Sequence, residues 1–260
     1  MSNIYDYQGN IVFEDKPHLS VPWATAMHQG YTSPTVSANT LEAFYRAYLN
    51  SANWIETDAR LSSDGVYICS HDATVTVGGV TYTIANETAE TLTSLVLSTD
   101  PTYGDCHIPT LASVLKLCCY TGMTANIDCK AINAATLAQL VVDSGMSRRT
   151  VYANISASNA TAILAVDPNA GFLFSYSAEN LTTWSNALTD YHVRIRSYAW
   201  AATVSYAVME AVRAAGFKYL LSNADSTANM HYAPDCIEFK STVDCKTLNE
   251  TYLASLDFGL

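Results

Sequence analysis

Between residues 24 and 222, short apolar runs alternate repeatedly with stretches of helical periodicity. Runs of strand length fall at 24–27, 54–60, 66–70, 125–130, 150–155, 171–176, 193–200 and 219–222. After the first run Leu41, Phe44, Tyr45 and Tyr48 share one helical face. Helices are also expected at 112–119, 134–144, 159–166, 180–189 and 205–215. Strand–helix alternation permits few folds, because successive parallel strands joined by helical crossovers make an open doubly wound sheet or a closed barrel. Eight such strands in 260 residues meet the length of a (β/α)8 TIM barrel, about 250 residues. The expected fold class is therefore α/β, a TIM barrel. Residues 73–113 interrupt the rhythm with a hairpin around Gly78-Gly79 and a short helix, and are expected as an insertion after strand 3. Residues 1–23 are expected as an N-terminal hairpin covering the barrel, 24–230 as the barrel, and 231–260 as a short C-terminal β extension.

A hydrophobic content of 49% with 14% charged residues supplies a sizeable core. The net charge of −11 argues against a nucleic-acid partner, which requires a basic footprint. An anionic substrate stays open, since a metal or a few local cations reverse the field at one site. Met1–Tyr7 is polar and does not read as a signal peptide, and no apolar run approaches the ~20 residues of a membrane helix. A cytoplasmic location is the default. Abundant Thr, Ser, Asn and Tyr with scarce Lys also suit an exported or phage-borne protein. Seven cysteines without a CxxC define neither a zinc site nor a disulfide framework, although Cys236 and Cys245 bracket a possible hairpin and could pair. The oligomeric state is not legible.

The strand ends carry the chemistry. Strand 1 ends at His28-Gln29-Gly30, strand 2 at Glu56-Thr57-Asp58, strand 3 at His71-Asp72. Strand 4 ends with Asp128 and Lys130, strand 7 with Tyr198 and Trp200. Side chains two apart on a strand point the same way, so Glu56 projects with Asp58, Asp128 with Lys130, and Tyr198 with Trp200. Three clustered carboxylates repel one another unless a cation sits among them. An all-oxygen set suits Ca²⁺ or Mg²⁺ rather than zinc. Two histidines beside such an ion suit general acid and base at a phosphorus centre. Asn39, with Glu42 three residues on, is expected to cap the first helix.

With these residues in place the sequence resembles the glycerophosphodiester phosphodiesterase family. The matching elements are His28-x-Gly30, Asn39-Thr40 before Ala43-Phe44, Ile55-Glu56-x-Asp58, Asp64-Gly65 and His71-Asp72. Further on come Ile108-Pro109-Thr110-Leu111, Asp128-x-Lys130 and Tyr198-x-Trp200. The resemblance spans about residues 24 to 225 and is specific as a set. It implies a TIM barrel with a small insertion after strand 3. It implies one divalent cation, Ca²⁺ or Mg²⁺, and two histidines that cleave a glycerophosphodiester to glycerol phosphate and an alcohol. By position it makes Glu56, Asp58 and Asp128 the metal ligands, and His28 and His71 the acid–base pair. Lys130 becomes a phosphate contact, and Trp200, beside Tyr198, lines the substrate side. Two positions depart from the family pattern: Gln29 stands where an arginine is usual, and Asp128 where a glutamate is usual. Gln29 is expected to contact a phosphate oxygen without a charge. A polymeric glycerol-phosphate substrate such as teichoic acid, or a non-catalytic barrel that binds glycerol phosphate, would use the same residues.

Overall fold

The computed structural model describes residues 23–202, 205–225 and 234–255; the expected N-terminal hairpin lies outside them. In chain order the elements are β1 (Ala24–Met27), α1 (Leu41–Leu49), β2 (Trp54–Leu61), β3 (Tyr67–Cys69), β4 (Thr74–Val77), β5 (Val80–Thr83), α2 (Ala89–Ser94), β6 (Val96–Asp100), β7 (Gly104–His107), α3 (Leu111–Thr121), β8 (Thr124–Ala131), α4 (Ala134–Asp143), β9 (Thr150–Ala153), α5 (Ala157–Leu164), β10 (Gly171–Ser175), α6 (Ala178–Ala187), α7 (Tyr191–Ile195), β11 (Tyr198–Ala201), α8 (Tyr206–Ala214), β12 (Lys218–Ala224), β13 (Cys236–Phe239) and α9 (Cys245–Ser255). Strands β1, β2, β8, β9, β10, β11, β12 and β13 pair in parallel around a ring, and β1 bonds both β2 and β13. The result is the closed eight-stranded TIM barrel that the alternation predicts.

Two strand assignments differ from expectation. The run at 66–70 forms β3, which pairs antiparallel with β2 through Ala59 and Cys69 and stands outside the ring. The cause is the connection: a tight turn at Ser62–Gly65, closed by Ser62 N–H on the Val66 carbonyl at 2.9 Å, joins neighbours antiparallel. A parallel neighbour needs a crossover of a dozen or more residues. The eighth barrel strand is instead β13, from the segment expected as a C-terminal extension. It bonds β1 and β12 and closes the barrel. The expected strand at 193–200 begins as helix α7, because Asp190 caps the His192 and Val193 N–H groups; β11 starts only at Tyr198. The insertion holds the expected hairpin, β4–β5, and a second one, β6–β7. All seven cysteines are free thiols. Cys236 lies inside the barrel, while the Cys245 thiol meets the Asn50 carbonyl, so the possible pair is not formed.

Alternation along each strand sorts the side chains. Outward residues such as Met27, Ile55, Ile127 and Ile237 are fully buried against the helices in the main core. Inward residues Ala26, Trp54, Val151, Ala153, Leu173, Tyr198, Leu220 and Cys236 fill the barrel interior. The next inward position on several strands is polar, and that layer forms the rim at the C-terminal strand ends, where sites of this fold lie.

Candidate active site

Register sets the geometry before any side chain is considered. Parallel pairing of β2 with β8 places Asp58 beside Asp128 and Glu56 beside Asn126. Glu56 and Asp58 are 4% and 1% exposed. One carboxylate oxygen from each of Glu56, Asp58 and Asp128 lies within 4.8 Å of the others. On β1, His28 follows Met27, the partner of Ile55, so its ring stands at the level of Glu56. His28 Nε2 is 3.8 Å from Glu56 Oε2.

Each of these carboxylates has one oxygen tied down by the protein. Asp58 Oδ2 accepts from Asn39 Nδ2 at 2.8 Å and Gln29 Nε2 at 3.1 Å. Glu56 Oε2 accepts from the Gln29 backbone N–H at 3.0 Å. Asp128 Oδ2 accepts from Lys130 Nζ at 2.7 Å. The other oxygen is open in at least two cases: Asp58 Oδ1 and Asp128 Oδ1 are buried and accept no hydrogen bond among the described residues. Lys130 Nζ stands 3.4 Å from Asp58 Oδ1. Buried acceptors without donors are costly, and a divalent cation coordinated by oxygen would satisfy them. At Ca²⁺–O distances of about 2.3–2.6 Å, two ligand oxygens can stand ~4.6–5.2 Å apart, so the observed spacing fits. The residues present therefore suit the metal that the sequence implies.

Electrostatics agree. Burial, then the charges of Asp58, Glu238 and Asp128, pushes the Glu56 carboxyl well above its ordinary range. Burial lowers the Lys130 ammonium, but the hydrogen bond and charge of Asp128, with the charge of Asp58, more than offset it and raise the group overall. Among the described residues that line the cavity over the rim, Lys130 is the single permanent cation against Glu56, Asp128 and Glu238.

Glu238 escaped the sequence reading. It sits inward on β13, 5% exposed, and accepts from Ser222 Oγ at 2.8 Å. Burial drives its carboxyl up, while Ser222, the His28 charge and the Asn126 amide act against that. The signal was available: in Cys236-Ile237-Glu238-Phe239 a lone carboxylate occupies an inward position of an apolar alternation.

His28, Glu56, Asp128, Lys130 and Trp200 line one cavity of about 740 Å³. Of the other four expected residues, Asp58 lies buried in the carboxylate cluster without lining the cavity, and three point elsewhere. Tyr198 is a filling residue of the barrel interior, packed edge-on against Trp54 at 5.0 Å with Lys218 over its ring, because it sits at the start of β11 rather than at its end. Gln29 turns its amide toward Asp58 and is absent from the lining, since its left-handed backbone, φ 55°, aims it at the carboxylates. His71 lies outside the cavity lining, half exposed, with Nδ1 on Asp72 Oδ1 at 2.9 Å. Its backbone is nonetheless close to the rim: Ser70 N–H donates to the Asp58 carbonyl, and Arg60 Nη2 donates to the His71 carbonyl at 2.7 Å. Asn39 caps nothing. Thr40 is the N-cap of α1, accepting from Ala43 N–H. Asn39, itself left-handed at φ 56°, fixes Asp58 and Thr57 instead.

Residues 28–238 match the glycerophosphoryl diester phosphodiesterase family. No curated protein sequence matches the chain. Solved structures with the same fold include a glycerophosphodiester phosphodiesterase from Agrobacterium tumefaciens, with a TM-score of 0.70 at 22% identity, covering 86% of this chain and 98% of that one. A glycerophosphoryl diester phosphodiesterase from Parabacteroides distasonis aligns with a TM-score of 0.73 at 19% identity, over 88% and 86% of the two chains. A phosphodiesterase from Oleispira antarctica, solved in complex with the product sn-glycerol-3-phosphate, aligns at 0.67 and 19% identity, over 88% and 96%. The family match runs from the first site residue, His28, to the last, Glu238, across the barrel whose rim gathers the carboxylates, and by it this chain belongs to the glycerophosphoryl diester phosphodiesterase family.

Proposed function

We propose that the barrel hydrolyses a small glycerophosphodiester with the help of one divalent cation, Ca²⁺ or Mg²⁺, held by Glu56, Asp58 and Asp128. The observation that carries this is the pattern of tethered and open oxygens: the protein's own donors fix one side of each carboxylate, while the buried second oxygens of Asp58 and Asp128 accept no hydrogen bond from the described residues, that of Asp58 meeting only Lys130 at 3.4 Å. A cation bound there supplies positive charge to a phosphoryl oxygen. The product found in the Oleispira relative is the one expected here.

The remaining work falls to the chain's own residues. Lys130 lines the cavity and sits at the edge of the carboxylate cluster, 19% exposed. There its ammonium can hold a second phosphoryl oxygen. His28 stands beside Glu56 with its ring partly open to the cavity and takes the proton of the attacking group. His71, when both ring nitrogens carry a proton, donates Nδ1–H to Asp72 and can give its Nε2 proton to the leaving oxygen. A shift of the segment that follows β3 over bound substrate would bring that nitrogen into reach, since catalytic hydrogen bonds often tighten only in the complex. The test is release of glycerol phosphate from purified glycerophosphodiesters with added Ca²⁺ or Mg²⁺ and after EDTA. Release only with the cation is expected. Undiminished release in EDTA overturns the metal assignment, and release from no diester overturns the substrate.

A further inference from the structure

The cavity is divided by charge. Every lining residue that can carry charge, His28, Glu56, Asp128, Lys130 and Glu238, comes from β1, β2, β8 or β13. The facing wall, built from β9, β10, β11 and the starts of α5 and α6, presents Asn154, Ser156, Ser175, Asn180, Thr183 and Trp200 and carries no charge among the described residues. We infer that this wall is the subsite for the leaving alcohol and that the alcohol is an uncharged polyol, such as glycerol or a cyclitol. The inference rests on the phosphodiesterase reading above.

Size is the first support. At about 740 Å³ the cavity falls in the range that encloses a whole drug-sized ligand, so both halves of a diester lie within it. Among the described residues, neither half then meets a charged side chain beyond the carboxylate cluster, Glu238, His28 and Lys130. An ethanolamine or serine headgroup would leave its charge without a counter-ion there. A choline headgroup needs several aromatic faces around it. The lining offers three aromatic side chains, of which Phe174 and Trp184 are buried and stacked on each other at 5.0 Å. Among the described residues, Trp200 alone of the three is not fully buried.

Unused hydrogen-bonding capacity is the second support. Asn154 and Thr183 make no side-chain hydrogen bond to the described residues. Asn180 spends its amide N–H groups on the Ser175 carbonyl and hydroxyl, leaving its oxygen as an acceptor and the Ser175 O–H as a donor. A wall of alternating donors and acceptors matches a chain or ring of hydroxyls. Asn154 also holds a left-handed backbone at φ 53°, a conformation kept where the surroundings require it and often found at binding sites. In the reaction a water oxygen bonds to phosphorus, the bond from phosphorus to the polyol oxygen breaks, and that oxygen leaves with a proton.

The experiment compares kcat/KM of the full chain with Ca²⁺ or Mg²⁺ on glycerophosphoglycerol, glycerophosphoinositol, glycerophosphocholine and glycerophosphoethanolamine. The polyol diesters should be preferred about tenfold or more, below the rejection seen in fully buried sites because this wall is open. Asn154→Gly keeps the left-handed backbone without strain, and Thr183→Val keeps the shape. Each should raise KM for the polyol diesters several-fold with little change in kcat, and narrow the preference. Equal kcat/KM for all four diesters overturns the polyol subsite and leaves the phosphodiesterase reading standing. A polyol preference unmoved in both folded variants overturns the assignment to this wall. Hydrolysis of none overturns the phosphodiesterase reading, and the subsite with it.

Discussion

Asp58 is held still through one oxygen and meets only Lys130 through the other, and the residues that hold the first are not those a charge pattern picks out. Gln29 reads in sequence as a phosphate contact that lacks an arginine's charge. In the fold its backbone N–H holds Glu56 and its side-chain amide holds Asp58. An arginine there would set a cation against the carboxylates and compete with the divalent ion. Residues hydrogen-bonded behind metal ligands typically matter by 10–100-fold in affinity. Gln29→Ala and Asn39→Ala should each weaken Ca²⁺ or Mg²⁺ binding by about that factor, and Gln29→Arg should weaken it too. Titration calorimetry measures this directly, and unchanged affinity in folded protein would show that the tethers are idle. The histidines separate by chemistry. His28→Ala and His71→Ala should each slow hydrolysis roughly 10²–10⁴-fold. A nitrophenyl ester, whose leaving group needs no proton, should restore the rate of His71→Ala alone. Rescue of His28→Ala instead would exchange the two roles.

Close approach at β1 and α1 shapes the rim at the scale of elements. Gly30, at φ 83°, lies so near α1 that an added Cβ would stand 2.7–2.9 Å from the backbone and Cβ of Ala43. That contact locks the turn carrying His28 and Gln29 to the start of α1, and the chain just before α1 supplies Asn39. Gly30→Ala combines overpacking, about 1–3 kcal/mol, with a left-handed conformation that costs an L-residue roughly 1–2 kcal/mol. It should lower stability by about 2–5 kcal/mol and weaken cation binding as well; denaturant unfolding tests the first and calorimetry the second. A neutral outcome would mean that the turn moves freely. Legibility in the sequence follows from what each element owes to local pattern. The barrel was readable because period-2 and period-3.6 patterns alternate through the chain. Glu56, Asp58 and Asp128 were readable as a cluster because strand alternation puts each on the inward side of its strand. Which strand completes the ring was not readable from pattern alone. Val66–Ser70 and Cys236–Phe239 are equally strand-like, and only connection length and closure on β1 distinguish them. Gln29 and Asn39 were misread because their left-handed backbones redirect the side chains. His71 was recognisable by type, but its ring bonds Asp72 and does not line the cavity.

At the scale of the whole molecule, the barrel concentrates negative charge in its own rim while the chain already carries −11. No helix among the described residues is long and apolar enough to cross a membrane. The cost of the cluster is pH-dependent, and its sign follows from burial. Burial first, and then neighbouring carboxylates, raises the Glu56 carboxyl above its ordinary value of 4.5; burial raises Glu238 in the same direction. A carboxyl whose folded value is raised binds its proton more tightly in the native state than in the unfolded chain. Its contribution to stability is therefore full below about pH 4.5 and declines as pH rises toward the raised folded value. Without a divalent ion, the protein should lose stability over that window. Cation binding requires the ionised carboxylates, so it opposes the loss more strongly as pH increases. An ion at a hundred times its Kd adds ~2.7 kcal/mol, about 5–10 °C in Tm for a domain of this size. Thermal scans of the full chain in EDTA and in excess Ca²⁺ or Mg²⁺ should show that gain near pH 7.5 and a much smaller one near pH 5. A cation-induced rise in Tm of equal size at both pH values would mean that the ion binds away from Glu56, and no rise at either would mean that Lys130 and the amide tethers alone suffice to hold the cluster together.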